Sequence, residues 1–311
     1  MKPFLSRFVA LGLLAGTVGR AHADYTFTTL EVPGSPSTSA NGINNSGQVV
    51  GAYEEPLTTR FHAFLLSGGT YTSFDVPGST GTAAYGVSDA GQIVGFYLDS
   101  SSRNRGFLRN GSDYTTLDVP GAVNTRVLGI SSTGQITGFY QINAGLPRHG
   151  FLLSNGNYVA FDVPLSIDTV SFAINNISQI VGSYQGAAAK THGFLRTGDS
   201  YTTLDFPGAS LTEATGINNL GEIVGVYSTM TGTHGFLYRE GMYTTLDVPG
   251  TFFTDPAGLN DSSQVVGTYV AVSPGPMEGF LATPTPTPCN LLLLAIGAAC
   301  LLGQAWRRHD S

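Results

Sequence analysis

The chain has 311 residues, of which only 11% are charged, with 41 Gly, 14 Tyr and 18 Phe and a formal net charge of −7. Sparse charge with abundant Gly and aromatic residues is the makeup of many short strands joined by tight turns. The ends carry five basic residues (Lys2, Arg7, Arg20, Arg307, Arg308) and one acid (Asp310), which leaves the body 9 basic against 20 acidic residues, a balance that excludes nucleic acid as a partner.

Residues 1–23 read as a secretory leader. Lys2 and Arg7 give the positive start, Phe8 to Val18 the apolar core, and Ala21-His22-Ala23 the cleavage site, so export machinery is expected to cut between Ala23 and Asp24. The apolar run is too short to span a bilayer. Both cysteines, Cys289 and Cys300, lie near the other end, so the body carries no disulfide and must be held by packing.

Over 24–282 one segment, close to Tyr-Thr-Thr-Leu-Asp-Val-Pro-Gly, recurs with its first residue at Tyr25, Tyr71, Tyr114, Tyr158, Tyr201 and Tyr243, at spacings of 46, 43, 44, 43 and 42. Each copy continues with a Gly-Ile-Asn-like triplet, then Gln-Ile-Val-Gly-x-Tyr, then His-Gly-Phe-Leu. Some positions never vary among the six copies: the prolines (Pro33 to Pro249), a glycine (Gly51, Gly95, Gly138, Gly182, Gly225, Gly267), a tyrosine two residues on, and a phenylalanine from Phe64 to Phe280. A period in the forties with short strands points to propeller blades. Each repeat then contains four strands, called d, a, b and c in sequence order, with a (near Ala40 to Asn44) innermost.

The hairpin between c and d fixes the register. If His62 faces Asp75, the turn centres on Gly68 and Gly69; His149 with Asp162 centres on Asn155 and Gly156, His192 with Asp205 on Gly198 and Asp199, and His234 with Asp247 on Glu240 and Gly241. Every pair of central residues includes Gly, as a two-residue hairpin turn needs for positive φ. The a–b turns, such as Asn44-Asn45-Ser46-Gly47, suit a type I turn closed by a left-handed Gly; Ser178 and Ser263 replace that Gly and are expected to weaken their turns.

His62-Ala63-Phe64 and the His-Gly-Phe versions at His149, His192 and His234 resemble the HAF family of extracellular repeats, over residues 25 to 281. The resemblance implies an extracellular location and a repeat architecture rather than an activity. The fold expected is all-β, a six-bladed β-propeller of four-stranded repeats in which strand d of copy one, Tyr25 to Val32, pairs with the last repeat near Phe280. An open β-solenoid is the alternative. Glu31 and Glu278 stand where the closing His and Asp would, so a shifted register or a looser last blade is expected there.

The His–Asp pairs, with Arg105 in place of His opposite Asp118, read as structural cross-strand pairs, because copies spread one per repeat do not converge. No Cys or His cluster suits zinc, no loop has the carboxylates of a calcium site, and neither a phosphate-binding loop nor a G-x-S-x-G elbow occurs, so no cofactor is expected. In an up-and-down meander the d–a and b–c connections share one face, and these vary from copy to copy, as binding loops do. Arg60, Arg126, Arg148, Phe252 and Phe253 are the candidates there.

Residues 283–290 form a Pro/Thr linker, followed over 291–311 by a hydrophobic segment and Trp306-Arg307-Arg308. Fifteen helical residues cover about 22 Å, short of the roughly 30 Å hydrocarbon core. This end resembles a PEP-CTERM sorting signal, with Pro286-Thr287-Pro288 where Pro-Glu-Pro would stand. The resemblance implies contact with an exosortase-type enzyme; a plain C-terminal membrane anchor is the alternative. The function expected is a non-enzymatic, monomeric, cell-surface binding module for a polysaccharide or protein. A structural surface or matrix protein comes second, and third a hydrolase or lyase, which a deep central pocket lined by acids such as Asp168, Glu213 and Asp255 would favour.

Overall fold

The fold is that of a computed structural model, which describes residues 25–285 except 59 and 146. The expected leader with its Ala23–Asp24 cut, most of the linker, and the terminal segment over 291–311 lie outside the described residues. Every regular element among the described residues is a β-strand.

After β1 (Tyr25–Leu30) the strands come in sets of four. The first set is β2 (Thr38–Ile43), β3 (Val49–Glu54), β4 (Phe61–Ser67) and β5 (Thr70–Phe74). Next come β6 (Gly81–Val87), β7 (Ile93–Leu98), β8 (Asn104–Asn110) and β9 (Asp113–Leu117). The third set is β10 (Asn124–Ile130), β11 (Ile136–Gln141), β12 (His149–Ser154) and β13 (Asn157–Phe161). The fourth is β14 (Asp168–Ile174), β15 (Ile180–Gln185), β16 (Thr191–Thr197) and β17 (Ser200–Leu204). The fifth is β18 (Leu211–Ile217), β19 (Ile223–Thr229), β20 (Gly232–Arg239) and β21 (Met242–Thr245). The last repeat supplies only β22 (Phe253–Leu259), β23 (Val265–Val270) and β24 (Glu278–Pro284), and β1 pairs with β24 to make up its fourth strand. β24 runs two residues into the segment expected as linker, which began at Thr283.

Each set is an antiparallel meander; the first three are separate four-stranded sheets, while single parallel bridges, Thr191 with Leu211 and Thr233 with Phe253, join the fourth set to the fifth and the fifth to the last. The recurring residues explain the geometry. Every first strand of a set carries a β-bulge, for example between Ala214 and Gly216, which swings the strand's carbonyl over the second strand. A β-carbon on Gly225 would stand 2.0 Å from the Glu213 carbonyl oxygen and 2.8 Å from the Phe236 ring. Only Gly fits that spot, and the six phenylalanines that pack against it, Phe64 to Phe280, have no exposed surface.

Apolar clusters join repeat to repeat. Val50, Phe74 and Val76 pack with Val87, Ile93 and Phe107, and at the seam between last and first repeats Val266 and Leu30 pack with Ala40, Val49 and Phe64. Pro33-Gly34 and its counterparts make type II turns, in which Gly34 has φ +81° and Ser35 N–H donates to Val32 O at 3.0 Å. Six buried threonines tie those turns down. Thr38 Oγ1 accepts from Val32 N–H at 3.1 Å, and Thr82, Thr125, Thr169, Thr212 and Thr254 do the same in their repeats.

The Gly of each expected c–d turn centre takes up positive φ, and both central residues do so at Gly68 and Gly69 (+57° and +80°) and at Asn155 and Gly156 (+51° and +78°). Ser178 and Ser263 do not lose their a–b turns. They adopt φ of +63° and +56° and keep the turn bond, and each hydroxyl also donates into the preceding repeat, to Gln135 Oε1 at 2.6 Å and Glu222 Oε2 at 2.7 Å.

Candidate functional site

The His–Asp pairs sit where the hairpin register places them, at the start of strand c and just beyond strand d. Nδ1 lies 2.7 Å from the carboxylate for His62 and Asp75, 2.8 Å for His149 and Asp162, 2.9 Å for His192 and Asp205 and 2.8 Å for His234 and Asp247. An ionised carboxylate only accepts, so Nδ1 carries the proton in each pair. The tyrosine of strand b lies against the ring, with Tyr184 and His192 centroids 5.1 Å apart. In the second repeat Arg105 forks between Asp99 and Asp118, at 3.0 Å to each. No two of these pairs come together.

At the seam the expected pairing of two glutamates gives way to another solution. Gly279 abuts the Leu30 carbonyl as Gly193 abuts that of Leu204, so the register is kept. Glu278 instead accepts the Tyr269 hydroxyl, and Tyr269 Oη lies 2.9 Å from Thr29 Oγ1, the counterpart of the Tyr53–Ser73 and Tyr184–Thr203 contacts.

The five loop candidates do not form one cluster. Arg60 reaches Asp75 at 3.4 Å and belongs to the edge of the first repeat. Arg126 lies over the Phe96 ring, 4.2 Å from its centroid, and donates to Asn104 Oδ1. Arg148 is bound to Asp168, whose buried carboxylate takes donors from both its backbone and its guanidinium. Phe252 is 60% exposed, while Phe253 lines a cavity.

That cavity, of about 390 Å³, is enclosed by the first strands of all six sets. All six bulged residues line it: Asn41, Tyr85, Leu128, Phe172, Thr215 and Ala257. The bulge presents an extra residue, and it is different in every copy, although the residue after it is Gly in five of the six. Ser39, Glu213 and Asp255, two positions earlier, join them, and Phe253 and Met277 mark the variable-loop end. At the far end Ile43, Val87, Ile130, Ile174, Ile217 and Leu259 form an apolar collar.

The two cavity acids are perturbed in one direction. Burial pushes the Asp255 carboxyl up to about 7, with the neighbouring Glu213 adding to the rise. Burial also raises Glu213, against a Ser183 hydroxyl at 3.2 Å and the more distant charge of Arg148. Asp255 has no hydrogen-bond or ion-pair partner among the described residues. It sits deep in the body, and the exposure it keeps faces the cavity. Asp168, the third acid anticipated for a central pocket, is turned to Arg148 and does not line it.

Beyond the collar a smaller space is closed by hydrogen bonds running from repeat to repeat. Asn45 N–H donates to Asp89 Oδ1 (2.9 Å), Asp89 N–H to Ser132 Oγ (3.3 Å) and Ser132 N–H to Asn176 Oδ1 (2.7 Å). Asn176 N–H donates to Asn219 Oδ1 (2.9 Å), Asn219 N–H to Asp261 Oδ1 (2.9 Å) and Asp261 N–H back to Asn45 Oδ1 (2.8 Å). Desolvation pushes Asp89 up, but bonds from Asn45 N–H, the Ser132 hydroxyl and the Asn45 amide outweigh it and hold Asp89 below its usual range. Among the described residues no group of three or more His, Cys, Asp or Glu could hold a metal.

No family model matches the chain, and no curated protein does. Solved structures do. AofleA from Arthrobotrys oligospora is 12% identical, with 83% of this chain and 86% of that one covered and a TM-score of 0.52. TolB from Acinetobacter baumannii is 13% identical, over 76% of this chain and 64% of that one, with a TM-score of 0.55. A fungal lectin from Aleuria aurantia, a six-bladed β-propeller with a fucose recognition mode, is 15% identical over 82% of this chain and 99% of that one, with a TM-score of 0.45. At such identities the likeness is one of fold. The body is an all-β repeat protein built of propeller-type four-stranded units.

Proposed function

We propose that the chain is a non-enzymatic binding module of the cell exterior, a six-bladed propeller closed by its N-terminal strand, which takes a saccharide unit into its central cavity. Closure is supported by the pairing of β1 with β24 and by the bond from Asp261 to Asn45, which links the last repeat to the first. The location rests on the leader and on the resemblance to HAF repeats, with anchoring at 291–311 through a PEP-CTERM-like or plain membrane segment.

The observation that carries the binding reading is the contrast within each first strand. The buried Thr repeats six times and the residue after the bulge is Gly in five copies, whereas the bulged position that faces the cavity is Asn, Tyr, Leu, Phe, Thr or Ala. A purely structural repeat has no need of that variety. Aromatic walls from Tyr85, Phe172 and Phe253 beside Asn41, Thr215, Glu213 and Asp255 suit a sugar, with apolar faces and hydroxyl edges, and the volume is that of small-molecule sites, about 300–1,000 Å³.

A panel of extracellular glycans presented to the full-length protein tests the reading. Retention that falls with Tyr85→Ala or Phe172→Ala, but not with Arg60→Ala, supports it; a panel without retained glycans sinks it. One observation favours a second reading, a hydrolase: two acids with raised affinity for protons share the cavity. Mass spectrometry of the same glycans decides between them, since intact glycans support binding and cleaved ones the hydrolase. Surface proteolysis of intact cells, with detection of a mature N-terminus at Asp24, tests the location.

A further inference from the structure

Three clusters of polar side chains in the body could serve a ligand. The His–Asp pairs lie one to a repeat at the edges, and each imidazole is a lone side chain already partnered at Nδ1. The ring of Asn45, Asp89, Ser132, Asn176, Asn219 and Asp261 offers oxygen atoms, yet each recurrent donor and acceptor is satisfied by the next repeat. The Glu213–Asp255 side of the cavity is different, because there a deep carboxylate stands without a partner.

Burying an ionised carboxylate without a hydrogen bond is costly, and native structures pair such groups. Around Asp255 the fold supplies none of the usual remedies. The charged or titratable groups that face it are Glu213 from β18, of the same sign, and Tyr85 from β6. β2 brings only Ser39 and Asn41, and β23 only Thr268. The Asn41 amide donates instead to Ala84 O at 2.8 Å, in the next repeat. The nearby cations are committed elsewhere, Arg148 to Asp168 and Arg126 to the faces of Phe96 and Phe139. The fold therefore leaves Asp255 to be met by whatever occupies the cavity, solvent or ligand.

Its chemistry follows from the walls. A hydrated divalent ion would want several protein oxygens, and two carboxylates with aromatic neighbours are a poor cage for it. An organic ammonium group suits both features: it forms charge-assisted hydrogen bonds to carboxylates and is attracted to the faces of rings such as Tyr85, Phe172 and Phe253. We infer that the Asp255–Glu213 side of the cavity receives the primary ammonium group of an amine-bearing ligand, a saccharide with a free amino group. This rests on the saccharide reading above and narrows it. Binding of the cation draws Asp255 into its ionised form, so a proton leaves the carboxyl as the ligand enters, and affinity rises with pH through the range in which Asp255 titrates.

Calorimetric titration of the full-length protein with glucosamine, N-acetylglucosamine, glucose, cadaverine and calcium chloride tests it. Glucosamine should bind about 10- to 100-fold more tightly than N-acetylglucosamine or glucose, the span expected of one charged hydrogen bond. The preference should vanish in Asp255→Asn and weaken in Glu213→Gln. It should grow between about pH 5.5 and pH 7.5, with a binding enthalpy that changes with the ionisation enthalpy of the buffer. Cadaverine bound in an Asp255-dependent way, with glucosamine silent, upholds the ammonium site and overturns the saccharide. Equal binding of glucose, N-acetylglucosamine and glucosamine overturns the ammonium site and leaves the saccharide reading standing. Calcium binding at Asp255, or no binding by any of the five, overturns the inference.

Discussion

The two ends of the central space are built from the same repeated strands yet handle their polar groups in opposite ways. At the a–b turns Asp89 and Asp261 each accept several donors from neighbouring repeats, and the donors and acceptors pass round all six copies. At the other end, among the described residues, Glu213 accepts one hydroxyl and Asp255 nothing. A satisfied acid near the turns is a part of the frame. An unsatisfied one beside the variable loops costs stability, and it is there that a ligand can repay the cost. The protonation behaviour carries the same message, since Asp89 is held below its usual range and Asp255 is pushed above it.

Substitutions along this axis should rank accordingly. The largest loss is expected from Phe236→Ala, beneath Gly225 and the Glu213 strand, where a fully buried ring leaves a cavity. About 3–5 kcal/mol should disappear in urea unfolding, and with it the ordered position of Glu213. Asp261→Ala comes next. It strands Asn219 N–H and both amides that converge on Asp261, for about 1–3 kcal/mol by the same measurement.

Asp255→Asn should move the other way. A carboxyl whose pKa is raised on folding binds its proton more tightly in the native state, so it favours folding at low pH and loses that contribution as pH rises from about 4 to about 7. The Asn variant lacks this loss and should be the more stable protein at pH 8, by about 1 kcal/mol or more, and little changed at pH 4. Asp89→Asn should have the reverse profile, with its loss greatest above the carboxylate range, because the contribution of a depressed acid is present there and fades as pH falls through the folded value. Melting curves for both variants across pH 4 to 8 check this. Parallel profiles would mean that the two ends are not distinct after all.

Much of the frame was legible in the sequence because six copies repeat it. The c–d register followed from Gly in each turn centre, and the shared positions of proline, glycine, tyrosine and phenylalanine marked the four-stranded unit. The six threonines from Thr38 to Thr254 carry the same signal less visibly, since in sequence a buried Thr tying a turn looks like any strand Thr. The cavity was harder to see for a physical reason. A bulge inserts one residue and breaks the two-residue alternation by which facing is read, so Asn41, Tyr85, Leu128, Phe172, Thr215 and Ala257 could not be assigned a side. The signal available was one variable residue before each Gly-Ile-Asn-like triplet. The seam was readable only as a conflict between Glu31 and Glu278, because its resolution through Tyr269 depends on side-chain reach.

The smallest expected effect bears on the variable-loop face itself. In five repeats the type II turn carries Gly at positive φ (Gly34, Gly78, Gly121, Gly208, Gly250), but the fourth carries Leu165 at φ +67°, with its side chain almost wholly exposed. A left-handed Leu costs about 1–2 kcal/mol, and Gly returns part of that through its freer unfolded chain. Leu165→Gly should therefore gain a few tenths to about 1 kcal/mol, a rise of roughly 1–3 °C in the melting temperature. A strained, exposed Leu beside variable loops has no packing reason to be there. If it touches the ligand, the stabilised variant should bind a retained glycan less well, whereas Ser178→Gly at an a–b turn should change stability without touching binding. Equal binding by both variants would assign Leu165 to neither the frame nor the site.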